Sequence, residues 1–316
     1  MAGLEIRSPT PKANFVLVSV NPGAGARSGG DQVARLQGLL EREGYQVQVT
    51  SDLAEMQNLS AAAMDEERLR VVVAAGGDGT IARVLNETAP GIPLTILPLG
   101  TENLLSKYLS IKACPESVAQ LIHQGWTVDL DVGSANGTLF TLMLGCGFDA
   151  EVVRRLDDSR SGHIRHLSYL KPIVETILDY DYPQIKVSFP GGEDGATVSS
   201  LSACWAFVVN LPRYAGGLKL VPGASGTDGQ LDVCTFRRGS FLNGLRYLTG
   251  VVLGKHHHWS DCDTRQATRI RLESDRLVSY QLDGDLGGEL PVEVEVLPGR
   301  MTVMVPRPWI DSQQAV

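Results

Sequence analysis

An apolar run that ends in paired glycines, with helix spacing starting at once, narrows what this chain can become. Residues 71–80 read VVVAAGGDGT, and Ile81, Val84 and Leu85 then recur at helical intervals. β-Branched residues suit a pleated strand. Glycines end it, and they let the backbone come close to a ligand or adopt φ > 0. The N–H groups that open the next helix favour an anion. The segment is therefore predicted to be a strand, a phosphate-accepting loop and a helix. Asp78 is unusual in such a loop, because a bare carboxylate repels polyphosphate. It requires a metal ion or a charge-neutral contact.

The flanking sequence repeats the same grammar. FVLVSV (15–20) reads as a strand, DQVARLQGLLEREG (31–44) as a helix and YQVQVT (45–50) as a strand; PLTILPLG (93–100) follows the glycine unit. This βαβα order implies a mostly parallel, doubly wound α/β sheet. Its ligand loops, NPGAGAR, GGDGT and PLGTENLL, should gather at the carboxyl ends of the strands. Near residue 127 the texture changes to many short strands with few helices, which predicts an antiparallel, β-rich, sandwich-like second domain. The expected division is 1–130 and 131–316, with the last strand free to return to the first domain.

Composition sets limits. The 316 residues are 43% hydrophobic and 20% charged, with a net charge of −8. A general nucleic-acid binder would carry a basic footprint instead, so no nucleic-acid partner is expected. The five scattered cysteines form no CxxC pair and read as reduced thiols of a cytoplasmic protein. No secretory leader or run of 18 apolar residues is recognisable. KHHHW (255–259) reads as a polar loop rather than a zinc site.

Taken singly, the motifs have plain structural readings. GGDGT suits a tight turn, NPGAG a simple loop, Thr101 a helix N-cap and Asp283-Gly284 a hairpin turn. The lysine of a P-loop is absent. Taken in order with LGCGFDAEVV (144–153), NLPRYAGGLKLVPGASGTDGQLDV (210–233) and LDGDLGGELP (282–291), they carry more. Over roughly residues 15 to 305 the chain resembles the diacylglycerol kinase catalytic family, which includes bacterial lipid kinases, sphingosine kinases and ceramide kinases. NAD kinases share GGDGT, but the later motifs fit the lipid kinases better.

The resemblance implies an ATP- and Mg²⁺-dependent lipid kinase, its first domain an NAD-kinase-like α/β fold binding the nucleotide and its second, the β-rich sandwich, contributing the lipid side. Asn21, Pro22, Gly23 and Gly25 would cradle ATP together with Gly76, Gly77, Asp78, Gly79 and Thr80. Thr50, Thr101 and Asn103 match further nucleotide contacts. Asp78 would organise ATP directly or through Mg²⁺. Asp285 stands where the family has its general base, a glutamate; Asp283 is the alternative. A structural Mg²⁺ would draw on Asp228 with the carbonyls of Ser225 and Gln230, although Thr227 replaces the first acid of that motif. Asp131, or Asp129 in a competing alignment, would link this metal to the active centre. Leu104 replaces an acid that the family commonly carries. The other readings are a NAD kinase-like small-molecule kinase and a catalytically idle nucleotide- or lipid-binding protein. The partner is expected to be a lipid at the inner membrane face, met peripherally, and a homodimer is left open. The basic stretch 154–171 reads as a solvated helix face, paired by Asp157 and Asp158, or as a patch for anionic membrane.

Overall fold

The computed structural model describes residues 5–8, 12–21, 28–158, 176, 178–190, 199–213 and 217–314. The chain divides into two compact units, Met1–Asp131 with Pro298–Val316, and Val132–Leu297.

The first unit alternates β1 (Phe15–Val20), α1 (Ser28–Arg42), β2 (Gln46–Thr50), α2 (Leu53–Asp65), β3 (Leu69–Gly76), α3 (Asp78–Glu87) and β4 (Leu94–Pro98), followed by α4 (Leu104–Tyr108) and α5 (Pro115–Gln124). The strands are parallel, in the order β2-β1-β3-β4. The chain leaves β1 toward one side and returns across it to β3. Right-handed crossovers in opposite directions put helices on opposite faces, and α1 accordingly packs with α5 while α2 packs with α3. β3 is buried along its whole length, which explains its unbroken apolar run. The expected doubly wound α/β fold is thus present. The α3 helix opens at Asp78, three residues ahead of the apolar repeat that marked it in the sequence.

Register places the loops. Ser19 pairs with Thr50, Val20 with Ala75 and Gly76 with Pro98. The four strands therefore end level, and the loops after them share one edge at a switch in strand order, where ligands bind in such sheets.

The second unit holds β5 (Thr127–Ala135, which begins in the first unit), β6 (Thr138–Phe140), β7 (Met143–Gly147), α6 (Phe148–Asp158), β8 (Ile185–Phe189), β9 (Ser199–Ala203), β10 (Trp205–Val209) and β11 (Leu231–Phe236). It continues through α7 (Phe241–Val252), β12 (Cys262–Ala267), β13 (Arg269–Glu273), β14 (Ser279–Leu282) and β15 (Asp285–Glu289) into β16 (Val292–Met304). One antiparallel sheet runs β12-β11-β10-β7-β14-β15. A second joins β9, β8, β13 and the first residues of β16. Leu144, Val208, Val233 and Tyr280 of the first sheet share a core with Val187, Ile270, Leu272 and Val294 of the second. Two sheets with a common apolar interior make the expected antiparallel sandwich.

After β16 crosses back, Val303 pairs in parallel with Leu94 of β4. Arg300 donates to the Thr88 carbonyl and Thr302 to Asp129 (2.7 Å). α8 (Arg307–Gln314) follows. Among the described residues, no helix is long and apolar enough to cross a membrane.

Candidate functional site

In the first unit the glycine loop is shaped by a neighbouring loop as much as by any ligand. Gly76, Gly77 and Gly100 do not adopt positive φ, so the conformational reason for these glycines falls away. Their need is proximity. A Cβ on Gly100 would lie 2.6 Å from the Gly77 Cα, and one on Gly76 would overlap the Thr80 side chain. GGDGT and the loop after β4 touch backbone to backbone, and only glycine permits that.

Two side chains lock this contact. Asn103, itself left-handed at φ 49, accepts from the Gly100 amide (3.0 Å) and donates to the Gly100 carbonyl (2.7 Å). Asp78 accepts from the amides of Leu104 (2.9 Å) and Leu105 (3.0 Å), the first groups of α4. Burial pushes the Asp78 carboxyl up from its ordinary pKa, and those two amides oppose the shift. The charge-neutral contact that a carboxylate needs here is thus a helix N-terminus 26 residues away. Thr101 is not the cap: Asn103 holds the cap position and Asp78 takes the amides. Leu104, the first residue of α4, buries its side chain.

The same edge carries the remaining residues. Gly77 caps α3 without a side-chain bond, and Gly79 and buried Thr80 lie in the first turn of that helix. With the Asp78 charge turned toward α4, the start of α3 remains suited to an anion. Thr50 is buried; its hydroxyl accepts from the Asp52 amide (3.1 Å) and donates to Glu55. That ties Thr50 to the start of α2. Asn21 follows β1 at this edge, while Pro22, Gly23 and Gly25 lie outside the described residues.

The second unit builds its site around a hairpin. Asp283 (φ 52) and Gly284 (φ 96) form the two-residue turn between β14 and β15, the left-handed pair that Asp-Gly favours. The Asp283 carboxylate accepts from the Thr141 amide (2.7 Å) and hydroxyl (2.9 Å), and from the amides of Leu142 (2.8 Å) and Met143 (2.9 Å). Burial lifts its pKa to about 6 against the pull of those amides. Both oxygens are engaged in holding the 141–143 loop. Asp285 opens β15 two residues on, with its side chain exposed.

Groups that sequence reading left without a role hold this hairpin in place. Gln281 accepts from the Gly284 amide (2.7 Å) and donates to buried Asp149 (2.8 Å). A Cβ on Gly145 would collide with both Asp149 and Gln281, so the glycine of LGCGFD makes room for the relay. Asn210 of NLPR donates to the Thr141 carbonyl (2.7 Å). Asp149 also stands on the wall of an apolar cavity of about 140 Å³, lined by Phe148, Trp205, Phe207, Leu220 and Val251 among others. The signal was present in the quoted motifs, but the pairings span 132 to 142 residues.

The loop of the expected structural metal is held by hydrogen bonds. Asp228 accepts from the Gln230 amide (3.0 Å) and from Gln266 (3.1 Å), one bond to each oxygen, and Ser225 pairs with Thr227 (3.1 Å). Among the described residues no group of three His, Cys, Asp or Glu side chains is placed to hold a metal. These bonds shape a turn around Asp228, and burial together with the nearby Asp228 charge lifts the pKa of Asp232 to about 6. Asp131 accepts from the Gly299 amide (2.9 Å), and Asp129 pairs with Arg7 and Thr302. His256 is buried 2.7 Å from the Leu220 carbonyl. In the basic stretch, Arg154 and Arg155 both pair with Glu151; residues 159–171 lie outside the described residues.

Comparison with known proteins finds two successive profiles along the chain. The profile of the diacylglycerol kinase catalytic domain matches residues 15–135, and that of the YegS C-terminal NAD kinase beta sandwich-like domain matches 143–305. A diacylglycerol kinase of Mycobacterium tuberculosis (strain CDC 1551 / Oshkosh) is 29% identical over 82% of this chain and 84% of its own length. One from Bacillus subtilis (strain 168) is 25% identical over 91% and 95%. A crystal structure from Bacillus anthracis str. Sterne shares the fold, with a TM-score of 0.75 at 22% identity over 95% of this chain and 98% of that one.

Proposed function

Because this chain belongs to the diacylglycerol kinase catalytic family, we propose that it transfers the γ-phosphate of ATP to a hydroxyl of diacylglycerol or a related lipid. The observation that carries this reading is the exposed carboxylate of Asp285 on a hairpin fixed at Asp283 and Gln281, with an apolar cavity bordered by Asp149. The cavity suits part of a lipid chain. The carboxylate suits a general base.

The chemistry balances simply. The acceptor oxygen attacks the γ-phosphorus and forms the new P–O bond. Its proton passes to Asp285, the bond to the β,γ-bridging oxygen breaks, and ADP leaves. Mg²⁺ enters with ATP as part of the nucleotide substrate and offsets its charge. The GGDGT and GTEN loops, ordered by Asp78 and Asn103, would receive the phosphates. Asn21, Thr50 and Thr101 would stand around them. Aspartate is one methylene shorter than the family's glutamate, so the acceptor must approach roughly 1.5 Å closer.

The test is phosphoryl transfer from labelled ATP to a panel of diacylglycerol, sphingoid bases and NAD. Label on a lipid is the expected outcome. Label on NAD alone would favour a dinucleotide kinase. Binding of Mg-ATP with no transfer would favour an idle binding protein, a reading motivated by Leu104 in place of the family's acid.

A further inference from the structure

We propose that the outer face of α7 is the surface by which this protein docks on an anionic lipid bilayer. The inference rests on the lipid-kinase reading, since it gives the protein a reason to meet a bilayer, but its evidence is separate.

The first observation is clustering. Among the described residues ten large hydrophobic side chains are exposed, and five of them, Phe241, Leu242, Leu245, Val252 and Leu253, fall within thirteen consecutive positions. Their exposures run from 46% to 74%. At 100° per residue they occupy one arc of the helix, while Gly244, Tyr247, Gly250 and Val251 turn inward. Scattered exposed leucines need no explanation, but a contiguous stripe does.

The second observation is charge. Residues 237–265 carry five basic side chains (Arg237, Arg238, Arg246, Lys255 and Arg265) against two acids (Asp261 and Asp263), in a chain whose net charge is −8. Arg246 and Lys255 line a shallow groove together with Leu242, Leu245, Leu253 and Trp259. Arg246 lies over the Trp259 ring at 4.1 Å and is held by Asp261 at 2.7 Å. Leucines rimmed by lysine, arginine and tryptophan are the chemistry of an interfacial helix. A second copy of this chain would bring the same basic rim, so charge complementarity selects an anionic lipid surface.

The third observation is continuity. The inner side of α7 lines the apolar cavity beside Asp149 through Tyr247, Leu248 and Val251, and Val252 belongs to both the cavity wall and the exposed stripe. The cavity therefore reaches the surface next to the stripe. A lipid leaving the bilayer at α7 would enter it directly.

The experiment is sedimentation of the full chain with phosphatidylcholine vesicles with and without phosphatidylglycerol, in the absence of ATP. The parent is expected to bind the anionic vesicles, and salt should weaken that binding. Leu242→Ser/Leu245→Ser/Leu253→Ser should lose about tenfold or more in partitioning. Arg238→Glu/Lys255→Glu should lose about tenfold, on anionic vesicles only. Thermal unfolding of both variants should match the parent. Turnover of a short-chain, monomerically soluble lipid should also be unchanged, so that a failure of the kinase reading shows there and not in the vesicle assay. Vesicle binding by the leucine variant equal to the parent's would overturn the proposal, as would a parent that binds neither vesicle. Light scattering that shows a dimer which the leucine variant dissolves would overturn it too, assigning the face to a second copy.

Discussion

The GGDGT loop and the LDGD hairpin both place an aspartate beside glycine, and both use it in the same way. Asp78 takes the first two amides of α4, and Asp283 takes three amides and a hydroxyl of the 141–143 loop. Each carboxylate fastens a distant segment to the loop that carries it. The regions part after that. GGDGT itself contains no second acid, and the acid that acts on Asp78, Glu102, comes from the loop after β4. LDGD sets Asp285 two residues further on, exposed at the start of a strand. An acid that is conspicuous in a motif can thus be the fastener, with the chemistry left to its neighbour or to the backbone.

The comparison can be broken first at the clamps. Asp283→Ala leaves four donors without their acceptor and is expected to cost about 2–4 kcal/mol of stability, read by denaturant unfolding. Asp78→Ala removes a two-amide cap and should cost less, about 1–2 kcal/mol. Equal losses would show that the two aspartates are not graded by the number of donors they hold.

The glycines sharpen it further. Gly145→Ala drives a methyl into Asp149 and Gln281. It should shift the hairpin and lower kcat roughly ten- to hundredfold, with little change in KM for ATP. Gly100→Ala places its Cβ 2.6 Å from the Gly77 Cα. It should weaken Mg-ATP binding by roughly tenfold, equivalent to ~1.4 kcal/mol, with a smaller effect on kcat at saturating ATP. The crossed pattern, one glycine felt in kcat and the other in nucleotide affinity, is measurable by steady-state kinetics and calorimetry. Identical profiles would remove the distinction between the two regions.

Much of the fold was legible because its signals are local. β1 has the predicted bounds, and the predicted α/β and sandwich patterns are both present. The Asp78 problem was legible too: a carboxylate in an anion loop demanded a metal ion or a charge-neutral contact, and in the structure it meets two backbone amides. Its partner was not legible, because nothing local at residue 78 points to residue 104. Of the two reasons the sequence offers for these glycines, close approach and positive φ, Gly76, Gly77 and Gly100 use the first, and toward neighbouring protein atoms. Asp149, Gln281 and Asn210 acquire roles only through pairings that no periodicity encodes. At residues 225–230 the motif was legible, but the tie from Asp228 to Gln266 across 38 residues was not.

The central claim is that the two acids of one hairpin divide structure from chemistry, and Asp285→Asn tests it most directly. Turnover of the lipid acceptor should fall by about 10²–10⁴, while unfolding free energy and Mg-ATP binding stay at parent values. Turnover at the parent level in Asp285→Asn would contradict the account and return the search for the base to the rest of the molecule.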